Sequence, residues 1–242
     1  MLKDMSDAHL PDGPMLASPL TGAPERVYSD LRDRIIRFDL PPGTILSRNA
    51  LARDYGVSQT PVREALQLLA QDGLVLIYPQ SKTLVSPIDS RMLAESLFLR
   101  MAVETEVVRR LAERANPADL RRPTAILRMQ RALLDAADQI DMFADLDRQF
   151  HRALFEAIGM QPLHTMLTSR LGHLYRCQRL ELPRKGKSHD IVEAHQAILD
   201  GIASGKPDRA TAAMREHLSG TMSRIDAIRA EHPDYFTPGP TR

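Results

Sequence analysis

The sequence predicts a mainly α protein in two units, an N-terminal winged helix-turn-helix and a C-terminal all-α bundle of about six helices. Three observations predict it. Residues 47–86 run as a short helix, a tight turn, a capped second helix and two apolar runs joined by a polar tip. Beyond residue 87 glycine is sparse and apolar residues recur at helical spacing. A chain of 242 residues is also long enough for two such units.

Taken in order, residues 1–23 are rich in Pro, Gly, Ser and Asp and are expected to form a disordered arm, with the winged unit spanning 24–86. Leu51, Ala52 and Tyr55 give a two-turn helix one narrow apolar side. Gly56, which reaches left-handed backbone angles cheaply, ends it, and inward Val57 completes the corner to the next helix. Ser58 is placed to cap that helix, and Pro61 falls in its first turn, where a missing amide hydrogen costs nothing. Val62, Ala65, Leu66 and Leu69 form its buried stripe, which leaves Gln59, Thr60 and Arg63 pointing outward. Asp72-Gly73 closes the helix. Leu74 to Tyr78 and Leu84 to Ser86 are β-rich, and Pro79 to Thr83 make a polar tip containing Lys82.

That outward face suits duplex DNA. Glutamine reads adenine edges, threonine bonds a phosphate or base, and arginine forks onto guanine or phosphate. A cationic wing tip suits the phosphate backbone. The alternative is a helical subdomain that binds protein, but turn, polar face and wing coincide in one stretch. The unit is barely basic, with eight Lys or Arg against seven Asp or Glu from Pro24 to Ser86, so affinity must come from local placement and from pairing of two copies.

Pro41-Pro42-Gly43, Leu51-Ala52, Gly56-Val57-Ser58, Thr60 to Leu66 and Asp72-Gly73-Leu74-Val75 together resemble the DNA-binding domain of GntR-family transcription regulators. The resemblance implies DNA contacts by Thr60 and Arg63. It sets Gln59 and Asn49 where arginines are common in the family, and Lys82 at or near the usual wing-tip glycine. The expected contact set is Arg48, Asn49, Ser58, Gln59, Thr60, Arg63 and Lys82.

Residues 87–231 are expected to form the helical unit, with starts at Asn116-Pro117, Asp141, Gln161-Pro162, Ser188 and Lys206-Pro207, and with a kink at Pro123. Residues 232–242 read as a flexible tail. No apolar run is long enough to span a bilayer, a lone Cys177 forms no intrachain disulfide, and the amino terminus lacks a signal-peptide layout. A cytoplasmic protein with no membrane partner is expected.

Winding at about 100° per residue places Met142, Phe143, Leu146, Phe150 and Leu154 on one arc of a helix, with Asp147 and His151 inside that arc. Four residues apart, they point to one spot. The same winding puts His195 among Ile191, Ile198 and Ile202, and His217 beside Ala210, Thr221 and Ile228. Burying such groups unpaired costs about 1–3 kcal/mol each and more for a charge. A shared cation offsets that cost. Three imidazoles and one carboxylate suit a divalent transition metal, zinc foremost, with nickel, cobalt or manganese as alternatives. A single buried histidine is ordinarily just hydrogen-bonded, but four coincident inward positions favour the metal.

Asp147, His151, His195 and His217 also resemble the metal-binding pattern of the all-helical FCD effector domain found in the FadR-like branch of the GntR family. The resemblance therefore extends from about Glu25 to Glu231. Arg100 and Glu104 lie on an apolar arc among Leu93, Leu97, Val103 and Val107; they either pair with each other or grip a small carboxylic-acid effector. Arg170, between Leu163, Met166, Leu167 and Leu174, is a further effector-contact candidate. His173 and Arg176 fall near the edge of that arc, where solvation is expected.

A metal-dependent hydrolase using the Asp/His cluster is the alternative function. Against it stand the linked DNA-binding unit and the lack of a separate nucleophile or phosphate loop. Cys177 reads as a small buried hydrophobe rather than a reactive thiol. The sequence thus predicts a homodimeric transcription regulator, a repressor, that binds a pseudo-palindromic operator on double-stranded DNA and responds to a small carboxylic acid.

Overall fold

The computed structural model describes residues 22–134, 136 and 138–237. Most of the expected N-terminal arm and the last five residues lie outside that range. Helix α1 (Ala23–Ile36) opens the winged unit, followed by α2 (Arg48–Asp54) and α3 (Gln59–Gln71). Ser47 caps α2 by accepting from the Ala50 amide, whereas Ser58 stands at the cap of α3 without a side-chain capping bond. Gly56 turns the corner with φ 63°.

The wing is the antiparallel pair β1 (Val75–Ile77) and β2 (Thr83–Val85), in register Val75↔Val85, Leu76↔Leu84 and Ile77↔Thr83. Residues 43–46 run along the outer edge of β2, with Leu46 donating its amide to Thr83 O at 2.8 Å and Ile45 bridging Leu84. The tip lacks glycine, and Gln80 takes the left-handed angle itself, at φ 55°. Val27, Leu31, Ile35, Val62, Leu66 and Leu69 form the core of this unit.

The helical unit contains α4 (Ser90–Arg114), α5 (Arg121–Ala132), α6 (Ile140–Ala157), α7 (Gln161–Ser169), α8 (Gly172–Glu181), α9 (Lys187–Ala203), α10 (Pro207–Met222) and α11 (Ile225–Glu231). These are eight helices among the described residues, against about six expected. The segment beginning at Gln161 breaks at Arg170-Leu171, and a short break at Ser223-Arg224 frees α11. Pro123 lies in the first turn of α5, after a 3-10 turn at Pro117–Leu120, so the bend occurs at that junction and no internal amide is lost. Helix α10 packs along α4 and α9, and α5 along α6. Gly201 permits the α9–α10 approach, since a Cβ there would stand 2.8 Å from Ala210 Cα.

Residues 232–237 depart from the expected flexible tail. Ile88 donates its amide to Tyr235 O at 2.7 Å, Thr237 donates to Ile88 O at 3.0 Å, and Phe236 is buried. Tyr235 stacks on Phe38 with ring centroids 4.8 Å apart. Two consecutive aromatic side chains bury enough apolar surface at the linker to hold this segment.

Candidate functional sites: a nucleic-acid interface and a metal centre

Arg48, Asn49, Ser58, Gln59, Thr60, Arg63 and Lys82 are all exposed. Arg48 and Asn49 begin α2, and Gln59, Thr60 and Arg63 occupy the first turns of α3, so five of the seven lie at two helix starts that a side-chain contact brings together. Gln59 Nε2 donates to Asn49 Oδ1 at 2.7 Å. Lys82 stands on the wing, with Nζ 5.7 Å from the centre of the Tyr78 ring.

The second site lies inside the bundle. Asp147 and His151 come from α6, His195 from α9 and His217 from α10. One ligand atom from each lies within 4.8 Å of all the others. His151 Nε2 and His217 Nε2 face each other at 3.1 Å. His195 Nε2 is buried without a hydrogen-bond partner and sits 3.5 Å from Asp147 Oδ1.

Two outer groups orient the rings. Gln130 Oε1 lies 2.8 Å from His195 Nδ1, which leaves the lone pair on Nε2, toward the centre. The Glu104 carboxylate stands 2.6 Å from His151 Nδ1 and does the same for that ring. Burial, then the neighbouring imidazoles, push both His195 and His217 well below the ordinary histidine range, so both stay neutral. Burial alone would raise the Glu104 carboxyl, but Arg100 and His151 beside it hold it well below the usual carboxylate range. One carboxylate and three imidazoles whose ligand atoms converge, with the buried His195 Nε2 orphaned among them, fit a divalent cation.

The structure gives the three expected effector residues different positions. Arg100 is buried, pairs through Nε with Glu104 Oε1 at 2.5 Å, and lines a cavity of about 560 Å³ that also borders Asp147 and His217. Glu104 points to His151 and is engaged from both sides, by Arg100 and by His151. Arg170 does not line this cavity: as the C-cap of α7 it leaves the helical arc, and its Nη1 donates to Gln71 O of the winged unit at 3.0 Å.

His173 and Arg176, expected at a solvated edge, are buried in the junction between the units. Arg176 Nη2 donates to Ser86 O at 2.9 Å, with its guanidinium 5.4 Å from the Phe38 ring. The winged unit covers the edge that a single-helix projection leaves open. Cys177 is buried, which pushes its thiol up to about 12 and keeps it unreactive.

Gln130 is not among the site residues expected from the sequence. It follows Ile126 and Leu127 on the buried side of α5 and is the same kind of misplaced polar residue that marks His195. Tyr175, on the cavity wall between Arg32 and Arg148, had no comparable signal.

Residues 23–85 match the bacterial regulatory proteins of the gntR family, and residues 95–220 match the FCD domain. The chain is 37% identical over 213 residues to an HTH-type transcriptional regulator in an unstable DNA locus of Streptomyces ambofaciens, covering 87% of this chain and 88% of that one. It is 34% identical over 210 residues to the gluconate operon transcriptional repressor of Bacillus licheniformis, covering 84% and 85%. The fold is similar to that of E. coli McbR/YncC, with a TM-score of 0.71 at 20% identity over 88% of this chain and 100% of that one. These relatives are regulators rather than enzymes, and no helix among the described residues is long and apolar enough to cross a membrane. The chain therefore belongs to the GntR family of bacterial regulatory proteins and is a transcription regulator with an FCD domain.

Proposed function

We propose that the protein is a homodimeric cytoplasmic repressor whose grip on a pseudo-palindromic operator is set by a small carboxylic acid held at a metal-containing pocket of the helical unit. The observation that carries this reading is the convergence of Asp147, His151, His195 and His217 on one point beside a cavity. Asp147 and the three imidazoles would hold the ion, zinc first among the candidates. A bound divalent cation supplies a Lewis-acidic site for a carboxylate or hydroxyl oxygen. Arg100, anchored by Glu104, would present its remaining nitrogens to the acid.

In the winged unit, α3 would enter the major groove, with Gln59, Thr60 and Arg63 toward the bases and Arg48 and Lys82 toward phosphates. Phe98 on α4 is 78% exposed, an apolar surface that a second copy would cover. The name of the Bacillus licheniformis relative supports repression and points to acids of the gluconate type.

Elemental analysis of protein purified without an affinity tag tests the metal, with about one equivalent per chain expected. Fluorescence anisotropy on selected operator fragments then tests the switch: a stabilising acid should release the DNA from wild type but not from His217→Ala. Less than about a tenth of an equivalent, with no uptake on titration, would rule out the metal pocket.

A further inference from the structure

The cavity beside the cluster is not built by the helical unit alone. Asp33, Ile36 and Arg37, at the C-terminal end of α1 and just beyond it, line the same space as Asp147 and His217. Helix α1 belongs to the winged unit through Val27, Leu31 and Ile35, yet Ile36 packs in the core of the helical unit. Its last turn is therefore shared by both cores.

The end of α1 and the metal-centre candidate border one cavity. The Tyr175 ring lies between one cation from each unit, with Arg32 Cζ 5.7 Å and Arg148 Cζ 5.5 Å from its centre. Arg32 donates Nη2 to Thr168 O at 2.7 Å, which ties α1 to α7 of the helical unit. Asp33 and Arg37 are exposed, and neither makes an ion pair among the described residues although they are four apart. One is an acceptor and the other a donor, side by side at the wall.

We propose that the ligand compartment spans both units, and that Asp33 and Arg37 bind the end of the effector far from the metal centre. This inference rests on the acid-sensor reading above. The ligand class is a polyhydroxylated carboxylic acid: a hydroxyl both donates and accepts, and so matches an adjacent arginine and aspartate. A two- or three-carbon acid fills a small part of about 560 Å³ and leaves α1 untouched. A longer acid touches the DNA-binding unit itself. It then binds one arrangement of that unit better than another, which is what a shift between arrangements requires, without a relay through the bundle.

The chain contains no tryptophan, so Arg37→Trp places a single indole at the cavity wall. The experiment uses the full-length, zinc-loaded protein with D-gluconate and glycolate as probes, read by thermal shift, calorimetric titration and indole emission. Gluconate should stabilise wild type and shift the emission of Arg37→Trp, whereas glycolate should leave the emission unchanged. Arg37→Gln should weaken gluconate about tenfold, as for loss of a hydrogen bond to a charged group, and leave glycolate within about twofold. Gluconate that stabilises wild type but binds Arg37→Gln equally well, with silent emission, overturns the two-unit compartment and leaves the acid-sensor reading standing. If neither acid stabilises the zinc-loaded wild type, both fall.

Discussion

Gln59 Nε2 donates to Asn49 Oδ1 at 2.7 Å, tying the first residue of α3 to the second residue of α2 on the exposed face. Both positions resemble arginine sites in the GntR family, and two guanidinium groups here would repel each other. Two amides instead interlock. One N–H of Gln59 is taken up by Asn49, which leaves the Gln59 carbonyl oxygen as an acceptor and the Asn49 NH2 as a donor, a pair that would match the mixed donor and acceptor pattern of a base edge. Gln59→Ala and Asn49→Ala should each weaken operator binding, and the double variant should lose less than the two losses added, with a coupling of about 1 kcal/mol. Anisotropy titrations of the four proteins on one selected operator measure it. Full additivity would show that the two side chains bind DNA separately.

Gln130 is the outer partner of His195, and its test is metal affinity rather than fold. Gln130→Leu keeps the volume but removes the acceptor that holds the His195 ring, so zinc affinity should fall about 10–100-fold. Competition with a chromophoric chelator measures this, and the melting curve of the metal-free variant should lie close to wild type. An unchanged zinc affinity would mean that His195 is oriented by packing on Phe150 alone, whose ring centroid is 3.8 Å away.

At Gly201 the backbone of α9 lies against that of α10, the two helices that bring His195 and His217 together. Gly201→Ala inserts a methyl group against the Ala210 backbone, so the two helices must separate. A loss of about 1–3 kcal/mol in stability is expected, together with weaker zinc binding. Urea unfolding and chelator competition on the same samples check both. Equal stability would indicate that the helices part freely.

His173 links stability to pH. Burial, then the nearby Arg176, holds its imidazole down to about 4, whereas an unfolded chain restores the ordinary value near about 6.5. Between those values the unfolded chain binds a proton that the folded one refuses. This contribution is therefore complete above about pH 6.5 and is lost as pH falls toward 4, on the order of 3 kcal/mol in all. His173→Asn, uncharged at every pH, should flatten the stability curve over that range. Thermal melts at pH 7 and pH 5 suffice, and parallel curves for variant and wild type would refute the assignment.

The winged unit was readable because its signals are local. Gly56, Ser58, Pro61 and the stripe of Val62, Ala65, Leu66 and Leu69 depend on backbone geometry within a few residues, and each takes its expected position, although Ser58 stands at the cap without making the capping bond. The inward direction of Asp147, His151 and His195 was readable for the same reason, since helical winding assigns each a side of its own helix. Arg170 shows the limit: the winding that would turn it inward does not reach it, because the helix stops there.

The sequence by itself determined which elements form and which side of each helix turns inward, because a helix repeats every 3.6 residues wherever it is placed. Only the tertiary structure decided which inward sides meet. That Glu104 serves His151, that Gln130 serves His195, and that α1 of the DNA-binding unit walls the cavity beside His217 depends on packing between residues far apart in the chain. Those contacts are set by crossing angles and side-chain volumes at helix interfaces, and no local periodicity encodes them.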